Sequence, residues 1–157
     1  MSIDTIRHSL AHLLAMSILE LDPDAKLGTG PATDTGFFYD FAFSKEKAFS
    51  ENDFASLEKI MRKLVNKKLD FIREELSESD ARKLFANQPY KLELIEGIIA
   101  RGETISVYKT AGFIDLCEGP HVENTGEIPA DAFALTRIAG AYWKSDESRD
   151  QLTRITG

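Results

Sequence analysis

Residues 6–21 read IRHSLAHLLAMSILEL and contain two of the three histidines of the chain, His8 and His12. Apolar residues recur here at helical spacing, which predicts a first helix over residues 4–21. One broad face of that helix is apolar, and it consists of Ile6, Leu10, Leu13, Leu14 and Leu21. The histidines lie on the opposite side, together with Ala15 and Leu19. Because both sides carry apolar residues, we expect the helix to be sandwiched and the histidines to face an enclosed space.

The segments that follow predict an α+β fold: one domain over residues 1–157, with a mixed or antiparallel sheet packed against helices. Alternating aromatic residues predict a strand over 37–43. Helical periodicity predicts helices over 50–71 and 77–87, each beginning at a serine followed three residues later by an aspartate. Further strands are expected at 70–77, at 104–110, within 112–122, where the strand runs into a Gly-Pro turn, and, as the last one, at 131–144. Residues 90–98 fit either type of element.

Composition excludes several classes of protein. The chain has 157 residues, of which 43% are hydrophobic and 29% are charged, as in globular proteins. No apolar run approaches the roughly 20 residues of a membrane helix, and the N-terminus lacks a secretory-signal pattern. We therefore expect a cytoplasmic protein without membrane contact. The net charge of −7 argues against a protein that coats nucleic acid non-specifically.

A basic stripe on the predicted second helix carries Lys59, Arg62, Lys63 and Lys67. Such a stripe is typical either of a solvated helix face or of an RNA-facing surface, and we favour the solvated face.

Four residues form a candidate constellation: His8 and His12 in an H-x-x-x-H pair, and Cys117 and His121 in a C-x-x-x-H pair. Residues four apart on a helix are neighbours, so both imidazoles of the first pair can point at one object. Gly119 and Pro120 predict a turn that lets Cys117 and His121 converge. These residue types suit a tetrahedral zinc site, or a site that positions and deprotonates a water.

Each half of this constellation is weak evidence alone, because a buried structural cysteine is more common than a reactive one. Together, however, the halves use every histidine and the only cysteine. Ser9 stands where an H-E-x-x-H protease has its glutamate, which disfavours that class of enzyme.

The chain resembles the editing domain of bacterial threonyl-tRNA synthetases and, more distantly, the alanyl-tRNA editing proteins. The resemblance rests on HSLAHLLA (8–15), GTGPATDTGFFYDF (28–41), IDLCEGPHV (114–122) and AGAYWKSDESRDQLTRITG (139–157). It implies hydrolysis of the ester of mischarged seryl-tRNA(Thr). Serine lacks only one methyl group of threonine, a difference worth about 1–3 kcal/mol in a binding pocket, so a second, hydrolytic site is needed.

By this resemblance, His8, His12, Cys117 and His121 form the core of the site. Asp115 would read the substrate amine, whereas Tyr39 and Lys91 would lie near the terminal adenosine and the ester. The alternatives are ordinary structural roles: Asp115 as a loop cap, Lys91 as a surface charge and Tyr39 as a half-buried strand aromatic.

The resemblance also implies the cofactor and the partners. Zinc is held by the same four residues in the alanyl relatives, whereas the threonyl domains can work without a tightly bound metal, and both possibilities stay open here. The partners implied are the acceptor end of tRNA(Thr) carrying serine and a separate threonyl-tRNA synthetase that would deliver it. We expect a free-standing protein rather than an excised domain, and no aminoacylation. The alternative to an editing hydrolase is an inactive remnant that binds zinc or the tRNA acceptor end.

Overall fold

The computed structural model describes residues 2–157, which form four helices and seven strands with short 3-10 turns. The helices are α1 (Ile3–Leu21), α2 (Phe54–Asn66), α3 (Glu78–Leu84) and α4 (Pro89–Ala100). The strands are β1 (Lys26–Leu27), β2 (Phe38–Ala42), β3 (Ile72–Leu76), β4 (Ile105–Thr110), β5 (Phe113–Leu116), β6 (Arg137–Tyr142) and β7 (Gln151–Thr156). All strand pairs are antiparallel, in two sheets, which confirms the predicted α+β class.

Helix α1 is enclosed, as predicted. Ser2 caps its N-terminus, and the Ser2 side chain accepts a hydrogen bond from the Thr5 N–H. Leu13 and Leu14 on one side and His12 and Ala15 on the other are all almost completely buried. The helix packs against α2 and β2 and contributes to the main hydrophobic core. The apolar residues on both of its sides therefore have a simple cause: α1 has protein on both sides.

The four-stranded sheet has the order β1-β2-β7-β6 and contains a strand that the sequence analysis missed. The prediction of one last strand over 131–144 is wrong in its limits, because the strand covers only 137–142 and is followed by β7. The buried residues of β7, Leu152 and Ile155, are three positions apart, so the strand lacks the alternation by which such elements are recognised. Gly140 lies within β6, where an added Cβ would meet the Gln151 side chain.

The three-stranded sheet has the order β3-β4-β5 and packs with α3 and α4 around a smaller apolar cluster. The ambiguous segment 90–98 lies in α4, which begins with Pro89 in its first turn. The second helix ends at Asn66 rather than at 71, and Lys68 just beyond it has a positive φ of 53°. Among residues 2–157, no helix has both the length and the apolar character needed to cross a membrane.

Candidate functional site

The two predicted pairs meet in space. Cys117, just after β5, places its Sγ 3.3 Å from Nε2 of His8 and 3.3 Å from Nε2 of His121. His12 joins them, with its ring centroid 4.1 Å from that of His121. One ligand atom from each of the four residues lies within 4.8 Å of the others. We call these four residues the His/Cys cluster.

The turn between Cys117 and His121 depends on Gly119. Its φ is +85°, in the left-handed region that favours glycine, and a Cβ there would collide with the Tyr108 side chain. The Gly119 N–H donates to Cys117 Sγ over 3.3 Å, and the following Gly119–Pro120 peptide is cis. The turn thus directs both side chains of the C-x-x-x-H pair toward α1.

A second group of polar side chains adjoins the His/Cys cluster, and we call it the Lys/Asp/Tyr network. The Lys91 ammonium group lies 2.7 Å from Oδ1 of Asp115 and donates to the Tyr39 hydroxyl over 3.0 Å. The Tyr39 hydroxyl in turn donates to Oδ2 of Asp115 over 2.7 Å. Nε2 of His12 lies 3.2 Å from the same Oδ2 and connects the network to the cluster.

All three members of the network are buried, with exposed fractions of 2% for Lys91 and Asp115 and 0% for Tyr39. The alternative readings of Lys91 as a surface charge and Tyr39 as a half-buried aromatic are therefore wrong. Asp115 lies within β5, so it does not cap a loop. Its oxygens already face Lys91, Tyr39 and His12, and the predicted contact of Asp115 with a substrate amine stays a prediction.

Burial keeps the histidines neutral. It lowers the pKa of His12 to about 4, against the opposing effect of Asp115. It also lowers the pKa of His8, although a hydrogen bond to the Pro120 backbone opposes the shift. For His121, burial together with the neighbouring His12 and His8 lowers the pKa still further. All three imidazoles are consequently neutral at pH 7 and each retains one nitrogen lone pair.

The acidic groups of the site are shifted in opposite directions. Burial raises the pKa of the Cys117 thiol to about 12, so the sulfur is protonated at neutral pH. Burial would also raise the pKa of Asp115, but Lys91, His12 and the Tyr39 hydroxyl together lower it. For Tyr39, burial and the Asp115 carboxylate raise the pKa. The network therefore contains an ionised carboxylate, and the cluster contains a thiol.

A cavity of about 360 Å³ opens onto both groups of residues. It is lined by α1 through His8 and His12, by residues 29–31, by Lys91 of α4 and by residues 115–119. A larger cavity of about 470 Å³ lies between α1, α3 and β5, but Glu20 is the one ionisable residue among the described residues that line it. We assign function to the smaller cavity because titratable groups with shifted pKa values converge there.

The His/Cys cluster has the donor set of a zinc site, since imidazole and cysteine thiolate are typical ligands of Zn²⁺, and binding of the ion would release the Cys117 proton. The Cys117 thiol has one proton and can donate to only one of the two imidazoles that face it. Nδ1 of His12 is buried and has no hydrogen-bond partner among the described residues. A cation bound by these atoms would satisfy all of them, so the residues fit such an ion.

The structure brings all seven predicted site residues together, and it adds residues that sequence reasoning missed. Ser9 contacts His121 through its hydroxyl, and Phe71, Phe113 and Tyr108 enclose the histidine rings. A signal for Ser9 was present: it is a small polar residue next to His8 in a helix that is apolar on two sides. The aromatic residues gave no signal, because they read as ordinary core residues.

The basic stripe is exposed at Lys59, Lys63 and Lys67, and none of its four residues forms an ion pair within the described part of the chain. Both features are expected of a solvated helix face and of an RNA-facing surface alike, so the preference for the solvated face stays a prediction.

Comparison with known proteins bears on these observations. Residues 105–156 match the family described as the threonyl and alanyl tRNA synthetase second additional domain. The chain is 50% identical over 155 residues (99% of its length) to part of a threonine–tRNA ligase of Dehalococcoides mccartyi, of which it covers 26%. It is 46% identical over 151 residues (96% of the chain, 25% of the relative) to part of a threonine–tRNA ligase of Borrelia hermsii. It is also 47% identical over 156 residues (97% of the chain, 25% of the relative) to part of a threonine–tRNA ligase of Synechococcus sp.. The chain thus spans about a quarter of the length of these relatives, and the resemblance drawn from its motifs is confirmed.

Proposed function

We propose that this chain, which shares the second additional domain of threonyl and alanyl tRNA synthetases, is an aminoacyl-tRNA deacylase that hydrolyses the ester of seryl-tRNA(Thr). One observation carries the proposal: the His/Cys cluster and the buried Lys/Asp/Tyr network open onto the same cavity of about 360 Å³. That cavity suits the aminoacyl end of a tRNA rather than a large part of the tRNA. The whole chain, residues 1–157, would then be one editing domain.

His12 is the group we assign to deprotonate the attacking water. Its Nε2 lies against the ionised Asp115, which leaves the lone pair on Nδ1. Because the pKa of His12 is lowered, the ring is neutral at pH 7 and its lone pair is free, although the same shift makes the ring a weaker base. Asp115 then stabilises the imidazolium that forms, in the same way that a buried carboxylate supports a catalytic histidine elsewhere.

Lys91 is the group we assign to the developing negative charge. Water attacks the ester carbon, and the carbonyl oxygen becomes an oxyanion near the Lys91 ammonium group, which lines the cavity. The bond between that carbon and the ribose oxygen then breaks, and His12 returns its proton to the ribose oxygen. The products are serine and tRNA with a free terminal hydroxyl. Tyr39 holds Lys91 and Asp115 in place, and the direct contact of Tyr39 with the substrate remains a prediction.

Cys117 is not the nucleophile in this proposal. A nucleophilic cysteine needs thiolate character, whereas the pKa of Cys117 is raised to about 12. Its thiol instead forms a wall of the cavity between His8 and His121.

Zinc held by His8, His12, Cys117 and His121 would supply Lewis acidity and lower the pKa of a bound water. A set of four protein donors is closed, which is typical of structural zinc sites, whereas catalytic sites keep a position open. For this reason the steps above are assigned to the side chains of the chain itself.

The partner we propose is the acceptor end of tRNA(Thr) carrying serine. A domain with a net charge of −7 gains little affinity from the phosphate backbone. Recruitment of the tRNA would then depend on a threonyl-tRNA synthetase, either covalently joined to this domain or separate.

The test is deacylation of seryl-tRNA(Thr) and threonyl-tRNA(Thr) by the purified chain. We expect rapid loss of serine and loss of threonine at the buffer rate. His12→Ala and His121→Ala should abolish hydrolysis while circular dichroism stays unchanged, and Lys63→Ala on the solvated stripe is the control that should keep full activity. Activity in both histidine variants would show that the assigned centre is wrong.

The same assay separates the alternative function. If seryl-tRNA(Thr) is lost only at the buffer rate while the chain still binds zinc or the tRNA acceptor end, the chain is a binding remnant and the hydrolase proposal fails.

A further inference from the structure

We propose that Ser9 is a positioning residue that fixes the tautomer of His121, with the proton on Nδ1 and the lone pair of Nε2 directed at the His/Cys cluster. Ser9 is completely buried in α1, and its Oγ lies 3.1 Å from Nδ1 of His121. The same oxygen is 2.8 Å from the Thr5 carbonyl oxygen and 3.0 Å from the Val122 backbone nitrogen.

The tautomer follows from counting protons around the Ser9 hydroxyl. The hydroxyl has one proton and two lone pairs. The Thr5 carbonyl can only accept a hydrogen bond, and the Val122 N–H can only donate one. If the hydroxyl proton goes to Thr5, Oγ accepts from both Val122 and an Nδ1–H of His121, and all three contacts are hydrogen bonds.

The opposite tautomer gives a poorer arrangement. With Nδ1 unprotonated, the hydroxyl would have to donate to His121 and would lose its bond to Thr5. One of the three contacts would then be unmade in a fully buried position, where unmade hydrogen bonds are unfavourable. The geometry at Ser9 therefore selects the Nδ1–H form.

This selection matters because of what the other nitrogen faces. Nε2 of His121 lies 3.3 Å from Cys117 Sγ, inside the His/Cys cluster. In the Nδ1–H form it presents a lone pair, which can accept the thiol proton or bind a cation. Ser9 thus fixes which nitrogen of His121 is available to the His/Cys cluster. Outer hydrogen-bond partners of metal-ligating histidines act in the same way. Its bond to Val122 also ties α1 to the turn that carries His121.

Ser17 provides a matched control on the same helix. It is also completely buried, and its hydroxyl donates to the Leu13 carbonyl over 2.8 Å, as that of Ser9 does to Thr5. Among the described residues, the Ser17 side chain forms no other hydrogen bond. Ser17→Ala therefore removes the same helix bond as Ser9→Ala without touching a histidine.

The first test is nuclear magnetic resonance of protein with ¹⁵N-labelled histidine, kept in chelator. In the wild type we expect a protonated Nδ1 and an unprotonated Nε2 for His121, and the same for Ser17→Ala. Ser9→Ala should give a mixed or inverted tautomer. The proposal is overturned if wild-type His121 carries its proton on Nε2, or if Ser9→Ala keeps the wild-type signals. Should Ser9→Ala fail to fold, a wild-type spectrum with the His121 proton on Nε2 would still overturn the proposal, and Ser9→Thr, which keeps the hydroxyl, should retain the wild-type tautomer.

The second test rests on the proposed function. For deacylation of seryl-tRNA(Thr), Ser9→Ala should lower kcat by about 10- to 100-fold, the range found when the outer hydrogen-bond partner of a metal-ligating histidine is removed. KM should change little, and Ser17→Ala should leave both constants unchanged. An unchanged kcat in a Ser9→Ala protein with the altered tautomer would refute the catalytic importance of Ser9. A wild-type chain without deacylase activity would refute the proposed function, while the tautomer would still be decided by the spectra.

Discussion

The buried ion pair between Lys91 and Asp115 gives the most direct test of how the site is built. Their side chains are only 2% and 3% exposed, and the charged atoms are 2.7 Å apart. Asp115→Asn keeps the size and shape of the side chain but leaves the Lys91 ammonium group buried without a counter-ion. Removing one partner of such a pair typically costs about 3–5 kcal/mol. That is a large part of the roughly 5–15 kcal/mol by which a domain is stable.

Lys91→Met should lower the free energy of unfolding by a similar amount, because it leaves the Asp115 carboxylate unpaired. The double variant should lose much less than the sum of the two, since replacing both members of a buried pair with uncharged groups is often close to neutral. Urea unfolding followed by circular dichroism gives all four free energies and the coupling energy of the pair.

The matched control is Lys109 with Glu74, which joins β4 to β3. This pair has a similar separation, 2.6 Å, but its side chains are 39% and 45% exposed. Its coupling energy should be about 0–1 kcal/mol, as for other surface pairs. Two results would refute this reasoning: a Lys91–Asp115 coupling energy no larger than that of Lys109 and Glu74, or an unchanged free energy of unfolding in Asp115→Asn. Either result would mean that burial does not strengthen the ion pair.

Two other predictions concern acid and metal. In chelator, the contribution of His12 to the free energy of unfolding should be fully present above about pH 6.5 and should be lost as the pH falls toward 4. The pKa of His12 drops from 6.5 to about 4 on folding, so the unfolded chain binds more protons between these two values. At 1.36 kcal/mol per pKa unit, His12 alone accounts for about 3 kcal/mol, and urea unfolding that is flat across this pH range would contradict the neutral buried imidazole. With zinc added, equilibrium dialysis should find one bound ion that a chelator removes. Cys117→Ser should weaken zinc binding, whereas the control Ser17→Ala should not. If Cys117→Ser binds zinc with the affinity of the wild type, the Cys117 sulfur is not a ligand.

Much of the fold and of the site was predictable from local patterns. Helical periodicity identified α1 and α2, and alternation identified β2 and β4, because the apolar residues of these segments recur with the period of the element, even though α1, β2 and β4 are buried on both sides. The strand β7 and the helical state of residues 90–98 were not predictable in this way. In β7 the buried residues do not alternate, and α4 carries apolar residues on several sides.

The sequence by itself determined which side chains are available for chemistry. Four-residue spacing on a helix puts His8 and His12 on one face, and the Gly119–Pro120 turn lets Cys117 and His121 converge. Only the tertiary structure decided what these groups do together. His8 and Cys117 are 109 residues apart in the chain, and the burial that neutralises the imidazoles exists only once α1, α4 and β5 have packed. Protonation and tautomer depend on distances and on exclusion of water, and these are properties of the packed fold rather than of any one segment.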